Sequence, residues 1–170
     1  MTWRKLSDWL WLPVLGVALL VSSCSNGCEE TRETFCLTSL TSETGLSISS
    51  LYAWGIGQQH VRDESSPTGY TDSLMLSEAS PKELSFILRP DTTVTRIRLQ
   101  MTVSGDSSYQ VEDTLTIRYE PRSVFLNMDC GCSVFFTLSE VSVTEHFIQE
   151  ATIKNAEITN TENVNIALVY

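Results

Sequence analysis

Along most of the chain polar and apolar residues alternate with a period of two, the signature of strands buried on one face. The clearest run is "VTRIRLQMTV" (94–103). Ile97, Leu99, Met101 and Val103 fall on one side, and Arg96, Arg98, Gln100 and Thr102 on the other. "ELSFILR" offers Leu84, Phe86 and Leu88; "DTLTIRY" offers Leu115, Ile117 and Tyr119, with Pro121 expected to end that strand; "VNIALVY" aligns Val164, Ile166, Leu168 and Tyr170. In "LSISSLYAWGI" an unbroken alternation puts Leu46, Ile48, Tyr52, Trp54 and Ile56 on one inward face. "VFLNMDCGCSVFFTL" (124–138) reads as one strand, and "FIQEATIKNAEI" comes after it.

Turn chemistry separates the runs. "RPDTT" (89–93), "SGDSS" (104–108) and "TNTEN" (159–163) each carry Pro, Gly, Asn or Asp where the alternation stops. "QQHVRDESSPTGYTD" (58–72) reads as a long loop, and no segment shows helical period with caps. Roughly seven to nine strands joined mostly by short turns predict an all-β fold, an antiparallel β-sandwich of immunoglobulin-like type. An outer-membrane barrel is not expected, because each strand would need lipid-facing apolar residues.

The first residues obey another pattern. "MTWRKLSDWLWLPVLGVALLVSSC" has a basic start (Arg4, Lys5), an apolar stretch of about 13 residues from Trp9 to Val21, and then Val21-Ser22-Ser23-Cys24. The stretch is shorter than the ~20 residues a spanning helix needs and suits a secretory leader. Its end resembles the lipobox of bacterial lipoproteins. Residues 1–23 are therefore expected to be a signal peptide and Cys24 a lipidated N-terminus. Residues 24–44 would form a lipid-attached segment with cysteines, and 45–170 the sandwich domain. Several acyl chains on one residue hold far more firmly than a single myristoyl group, so the expected membrane contact is this anchor.

Charge narrows the partners. The chain has 11 basic and 21 acidic side chains, a net charge of −10, and the leader removes Arg4 and Lys5 but only Asp8. A surface this acidic is a poor match for nucleic acid, which needs a concentrated basic face. The acids are scattered singly, as solubility requires.

Four cysteines remain once Cys24 is given to lipid: Cys28, Cys36, Cys130 and Cys132. Residues i and i+2 of a strand point the same way, so Cys130 and Cys132 are expected to face the core together, flanking Gly131. A bridge between them is disfavoured, since their side chains run parallel. In an exported protein, an even set is read as disulfides. Pairings that tie Cys28 and Cys36 to Cys130 and Cys132 are preferred, with a local Cys28–Cys36 clip as the rival. Zinc is a poor fit to C-x7-C with C-x-C. Redox chemistry is a poor fit to thiols beside Asp129 and apolar residues. No metal or cofactor is implied.

Catalytic signatures are absent. There is no G-x-S-x-G, H-E-x-x-H or Gly-rich phosphate loop. The two histidines, His60 and His146, lie in a loop and between strands. Asp63 with Glu64, and Glu112 with Asp113, read as turn acids and not as a calcium loop. The protein is expected not to be an enzyme. The leading expectation is a tethered module that presents an edge strand or loop to another protein; the alternative is a glycan- or peptide-binding module.

At "CEETRETFC", "NMDCGC" and the closing "HFIQEATIKNAEI…NIALVY" the sequence resembles a family of short Bacteroidales (Bacteroidetes) lipoproteins of unknown function. The resemblance spans nearly all of the chain after the leader and implies an all-β envelope lipoprotein, with no catalytic residue to carry over. It also implies an accessory role beside another envelope protein, such as an outer-membrane barrel. Surface-exported lipoproteins of that group often carry acidic residues nearer the anchor than Glu29 and Glu30 stand here. The periplasmic face of the outer membrane is therefore expected over the cell surface.

Overall fold

The computed structural model describes residues 33–57, 72–105 and 107–170. The described residues form ten strands and no helix: β1 (Cys36–Thr41), β2 (Ser47–Gly55), β3 (Ser73–Ala79), β4 (Glu83–Phe86), β5 (Val94–Ser104), β6 (Tyr109–Asn127), β7 (Gly131–Val143), β8 (Glu150–Ile153), β9 (Glu157–Ile158) and β10 (Val164–Val169). Two sheets pack face to face, one in the order β4-β1-β10-β8 and the other β3-β2-β5-β6-β7-β9. All pairings are antiparallel except β1 with β10. This is the β-sandwich that the alternation predicts, with ten strands in place of seven to nine. The extra ones are short or weakly patterned: β9 has two residues, and "CLTSLT" of β1 alternates Leu with Ser and Thr.

The core is the inward faces of both sheets. Ile97, Leu99, Met101, Leu115, Ile117 and Tyr119 come from the larger sheet, and Cys36, Leu84, Phe86, Ile166 and Leu168 from the smaller; all are essentially inaccessible. Each such side chain contributes about 1.5–3 kcal/mol relative to exposure. β1 lies in the middle of the smaller sheet, bonded to β4 on one side and β10 on the other. The sandwich therefore takes in Cys36–Thr41, ahead of residue 45.

Two of the register slips bear on the expected facing and on the join between the first and last strands. β2 slips against β5 between Ile48 and Ser50. One extra residue reverses the parity of the rest of the strand. Leu51 and Ala53 are buried, while Tyr52 is 41% exposed and Trp54 half-buried on the outer face. The expectation that Tyr52 and Trp54 are core residues is thus corrected by this bulge. The second slip lies between Leu37 and Thr38 on β1, opposite Asn165 of β10. The Asn165 side chain mends it, accepting from Leu37 N (3.1 Å) and donating to Asn155 O (3.2 Å) and Glu157 O (3.1 Å).

Pro121 does not end β6, which continues to Asn127. Beyond Arg118 the strand pairs only with β7. Tyr119 N still donates to Thr93 O (2.9 Å), and two residues later the Pro121 nitrogen points the same way, past the last partner. A proline costs no ladder bond there. Past Pro121 and its partner Phe136, where β9 also stops pairing with β7, β6 and β7 form a two-stranded ribbon among the described residues. Its base is held by Glu157, which accepts from Arg122 Nη2 (2.9 Å) and Thr137 Oγ1 (3.0 Å).

Candidate functional site

The ribbon ends in a tight turn, so residues 124–138 are a hairpin and not one strand. Asn127 and Gly131 face each other across a three-residue loop, and Gly131 has φ +73°. That is a turn closed by a glycine bulge, a usual three-residue hairpin loop. Asn127 Oδ1 accepts from Asp129 N (3.0 Å) and Cys130 N (2.7 Å), fixing the corner. The turn separates the two thiols that straight-strand parity placed on one face: Cys130 is fully buried in the loop, whereas Cys132 is exposed on β7. Cys130 is disulfide-bonded. Cys36 and Cys132 are free thiols, so the expected second bridge through them is not formed. Cys24 and Cys28, the two remaining cysteines, lie outside the described residues. Thr34 Oγ1 donates to Val134 O (3.0 Å), so the described chain begins beside this ribbon.

The free thiols differ in character. Burial pushes Cys36 up to about 12, opposed only weakly by Thr38, whose buried Oγ1 has no hydrogen-bond partner of ordinary geometry. A thiol that resists ionisation is a poor nucleophile; Cys36 acts as a small core hydrophobe.

Asp113 accepts bonds from four residues of one loop. It lies on the inward parity of β6 with a fully buried side chain. Oδ1 accepts from Thr144 Oγ1 (2.7 Å) and His146 N (2.8 Å), with His146 Nδ1 at 3.1 Å; Oδ2 accepts from Phe147 N and Ile148 N, both at 2.9 Å. Glu145 at φ +57° bends the 144–148 segment so that successive N–H groups converge on the carboxylate. Burial works to raise the pKa of Asp113, and the bonds from Ile148, His146, Thr144 and Phe147 outweigh it, leaving the carboxyl below its ordinary value.

Histidine, carboxylate and hydroxyl thus meet, yet the arrangement does not resemble a triad. The Thr144 hydroxyl gives its proton to Asp113 and accepts from Thr114 N (2.9 Å), so the nucleophile–base bond on which such sites depend is not made. Asp113 clamps a loop. Parity alone marks it, since an acid on a buried strand face must be bonded, but its partners lie more than 30 residues away. Glu112, its neighbour, points out and accepts from Gln100 Nε2 (3.0 Å). His60, Asp63 and Glu64 lie outside the described residues. Among the described residues no group of three His, Cys, Asp or Glu side chains is placed to hold a metal ion.

Three shallow clefts accompany these features. One, of about 430 Å³, is lined by Ile56, Gly57, Arg89, Thr92, Val94, Arg96 and Arg118. Arg89 pairs with Asp91 and Arg118 with Glu140 (3.2 Å). Nearby on the same sheet Arg98 lies over the Trp54 ring at 5.9 Å and pairs with Asp72 (3.3 Å). A second cleft, of about 350 Å³, runs between Glu33–Phe35 and the ribbon at Cys132–Val134. A third, of about 620 Å³, lies under Phe35, Leu74 and Ile87. None of the three is lined by His146.

No curated protein matches the sequence, and neither does any solved structure. Residues 65–170, which include everything from β3 to β10, match a family described as being of unknown function. By that match over more than half its length, the chain belongs to the family of unknown function DUF6452.

Proposed function

We propose that the protein is a non-enzymatic envelope lipoprotein, a β-sandwich tethered to the membrane by acylated Cys24, serving as a structural or protein-interaction module. The observation that carries this reading is the disulfide at Cys130. Disulfides persist in exported proteins, and with Cys36 and Cys132 free the reading takes Cys24 or Cys28, beside a lipobox-like leader, as its partner. If the sulfur of Cys24 bears a diacylglycerol thioether, the partner of Cys130 is Cys28. The bond closes a loop of about one hundred residues, which the chain-entropy account values at ~4–5 kcal/mol, and it fastens the segment next to the lipid to the folded domain.

The outer edge of β3 supports the interaction role. Among the described residues this seven-residue strand pairs only with β2, and Leu74 is half exposed on it. Edges of this kind accept a strand from a partner; the partner proposed is another envelope protein, such as an outer-membrane barrel. The alternative, a glycan- or peptide-binding module, has one observation in its favour. The cleft among Arg89, Arg96 and Arg118 gives an acidic chain a basic recess, suited to a carboxylated ligand.

Metabolic labelling with a clickable palmitate analogue tests the tether. The protein is expected to be labelled and membrane-bound, and Cys24→Ser to lose both properties. An unlabelled wild-type chain in the soluble fraction would overturn the proposal.

A further inference from the structure

The hairpin tip carries apolar side chains that the fold does not cover. Met128 is 90% exposed, the highest value for a large apolar side chain among the described residues, and Phe125 is 60% exposed. They sit three residues apart on either side of Asn127, at the far end of a ribbon that, among the described residues, pairs with no other strand at this level. Asp129 is the only charged residue from Ser123 to Cys132. Exposed apolar residues at the tip of a projecting element mark a contact surface. The question is what covers it.

We infer that the 125–130 tip rests in the membrane interface, with Phe125 and Met128 at the boundary between headgroups and acyl chains. This deepens the reading above, because it rests on acylation of Cys24 and on the Cys28–Cys130 bond. Chain length supplies the argument. Four Cα–Cα steps lead from Cys24 to Cys28 and extend to at most ~14 Å; a disulfide adds a Cα–Cα step of ~6 Å. The Cα of Cys130 is therefore held within ~20 Å of a residue whose acyl chains are in the bilayer.

Under that tether, contact of the tip with lipid becomes an intramolecular event with a high effective concentration. Two apolar side chains then suffice where they would not anchor a free protein. The lone acid, Asp129, fits a zwitterionic surface and not an anionic one. The long axis of β6 would then lead away from the bilayer, carrying Tyr109 at its other end far from the lipid.

Trp54 is the only tryptophan after the leader, which makes the inference measurable. Met128→Trp is introduced in a Trp54→Phe background. The acylated protein is purified from membranes and reconstituted in phosphatidylcholine vesicles with or without bromine on the upper acyl carbons. Emission is expected to fall roughly twofold or more with bromine, at the ~5–10 Å depth of interfacial burial. Tyr109→Trp in the same background is expected to be unaffected. Equal emission in both vesicles, with acylation and the Cys28–Cys130 bond verified by mass on the same sample, would overturn the inference and leave the tether standing. A blue-shifted but unquenched Trp would mean that protein covers the tip, the segment before Glu33 or a partner, and would also overturn it. A sample lacking the acyl group would overturn both.

Discussion

Asp113 shows how much one side chain can organise when it is buried and fully bonded. The four donors that Thr144, His146, Phe147 and Ile148 present to it cannot be satisfied by an amide, whose N–H2 would face donors. Asp113→Asn is expected to cost roughly 3 kcal/mol, the scale of losing bonds to a charged acceptor and stranding buried donors; urea denaturation at neutral pH measures it. The carboxyl titrates lower in the folded protein than in the unfolded chain, where its value is about 3.9. Its contribution is therefore whole above about pH 4 and is lost as pH falls through the lowered native value. Between pH 5 and 2 the wild type should lose more stability than Asp113→Asn; parallel losses would contradict the assignment. The reading of Glu112 and Asp113 as turn acids is corrected, since both lie within β6 and Asp113 is in step with the inward Leu115 and Ile117; its partners belong to a loop beyond β7. Tyr52 and Trp54 depart from expectation for a different reason. Alternation predicts facing only while register holds, and nothing in "SISSLY" announces the slip at Ser49.

At the scale of the element, the β6–β7 hairpin holds most of the surprises. Apolar alternation runs on either side of "NMDCG", and reading through it hides the turn. The local signal is present all the same: Asn at the corner and Gly four residues later suit a loop that needs a left-handed residue. Gly131 meets that need at φ +73°. Gly131→Ala is expected to destabilise the oxidised protein by ~1–2 kcal/mol, and Gly131→Asn by less, since Asn tolerates that conformation; chemical denaturation of the three proteins gives the order. An alanine variant as stable as wild type would mean that the turn is not built this way. Pro121 teaches the complementary lesson. A proline ends a strand in mid-sheet but is harmless at an edge, and where an edge begins is set by the end of β5.

Over the whole molecule, the sandwich is legible because its core strands β5, β6 and β10 alternate cleanly. β1 is not, since "CLTSLT" carries little apolar signal and takes its place from pairing with the C-terminal strand β10. That parallel pair brings the described start of the chain and its end into one sheet. Cys130 is disulfide-bonded as well, and under the proposed Cys28–Cys130 pairing that bond would fasten the segment behind the expected leader to the same domain.

Peptide mapping without reduction, on mature protein unfolded in denaturant with the alkylating agent already present, tests this most directly. The account predicts one linked pair, Cys28–Cys130, together with alkylated Cys36 and Cys132 and an acylated peptide beginning at Cys24. A Cys24–Cys130 link, or a Cys28–Cys36 link with Cys130 alkylated, would contradict it.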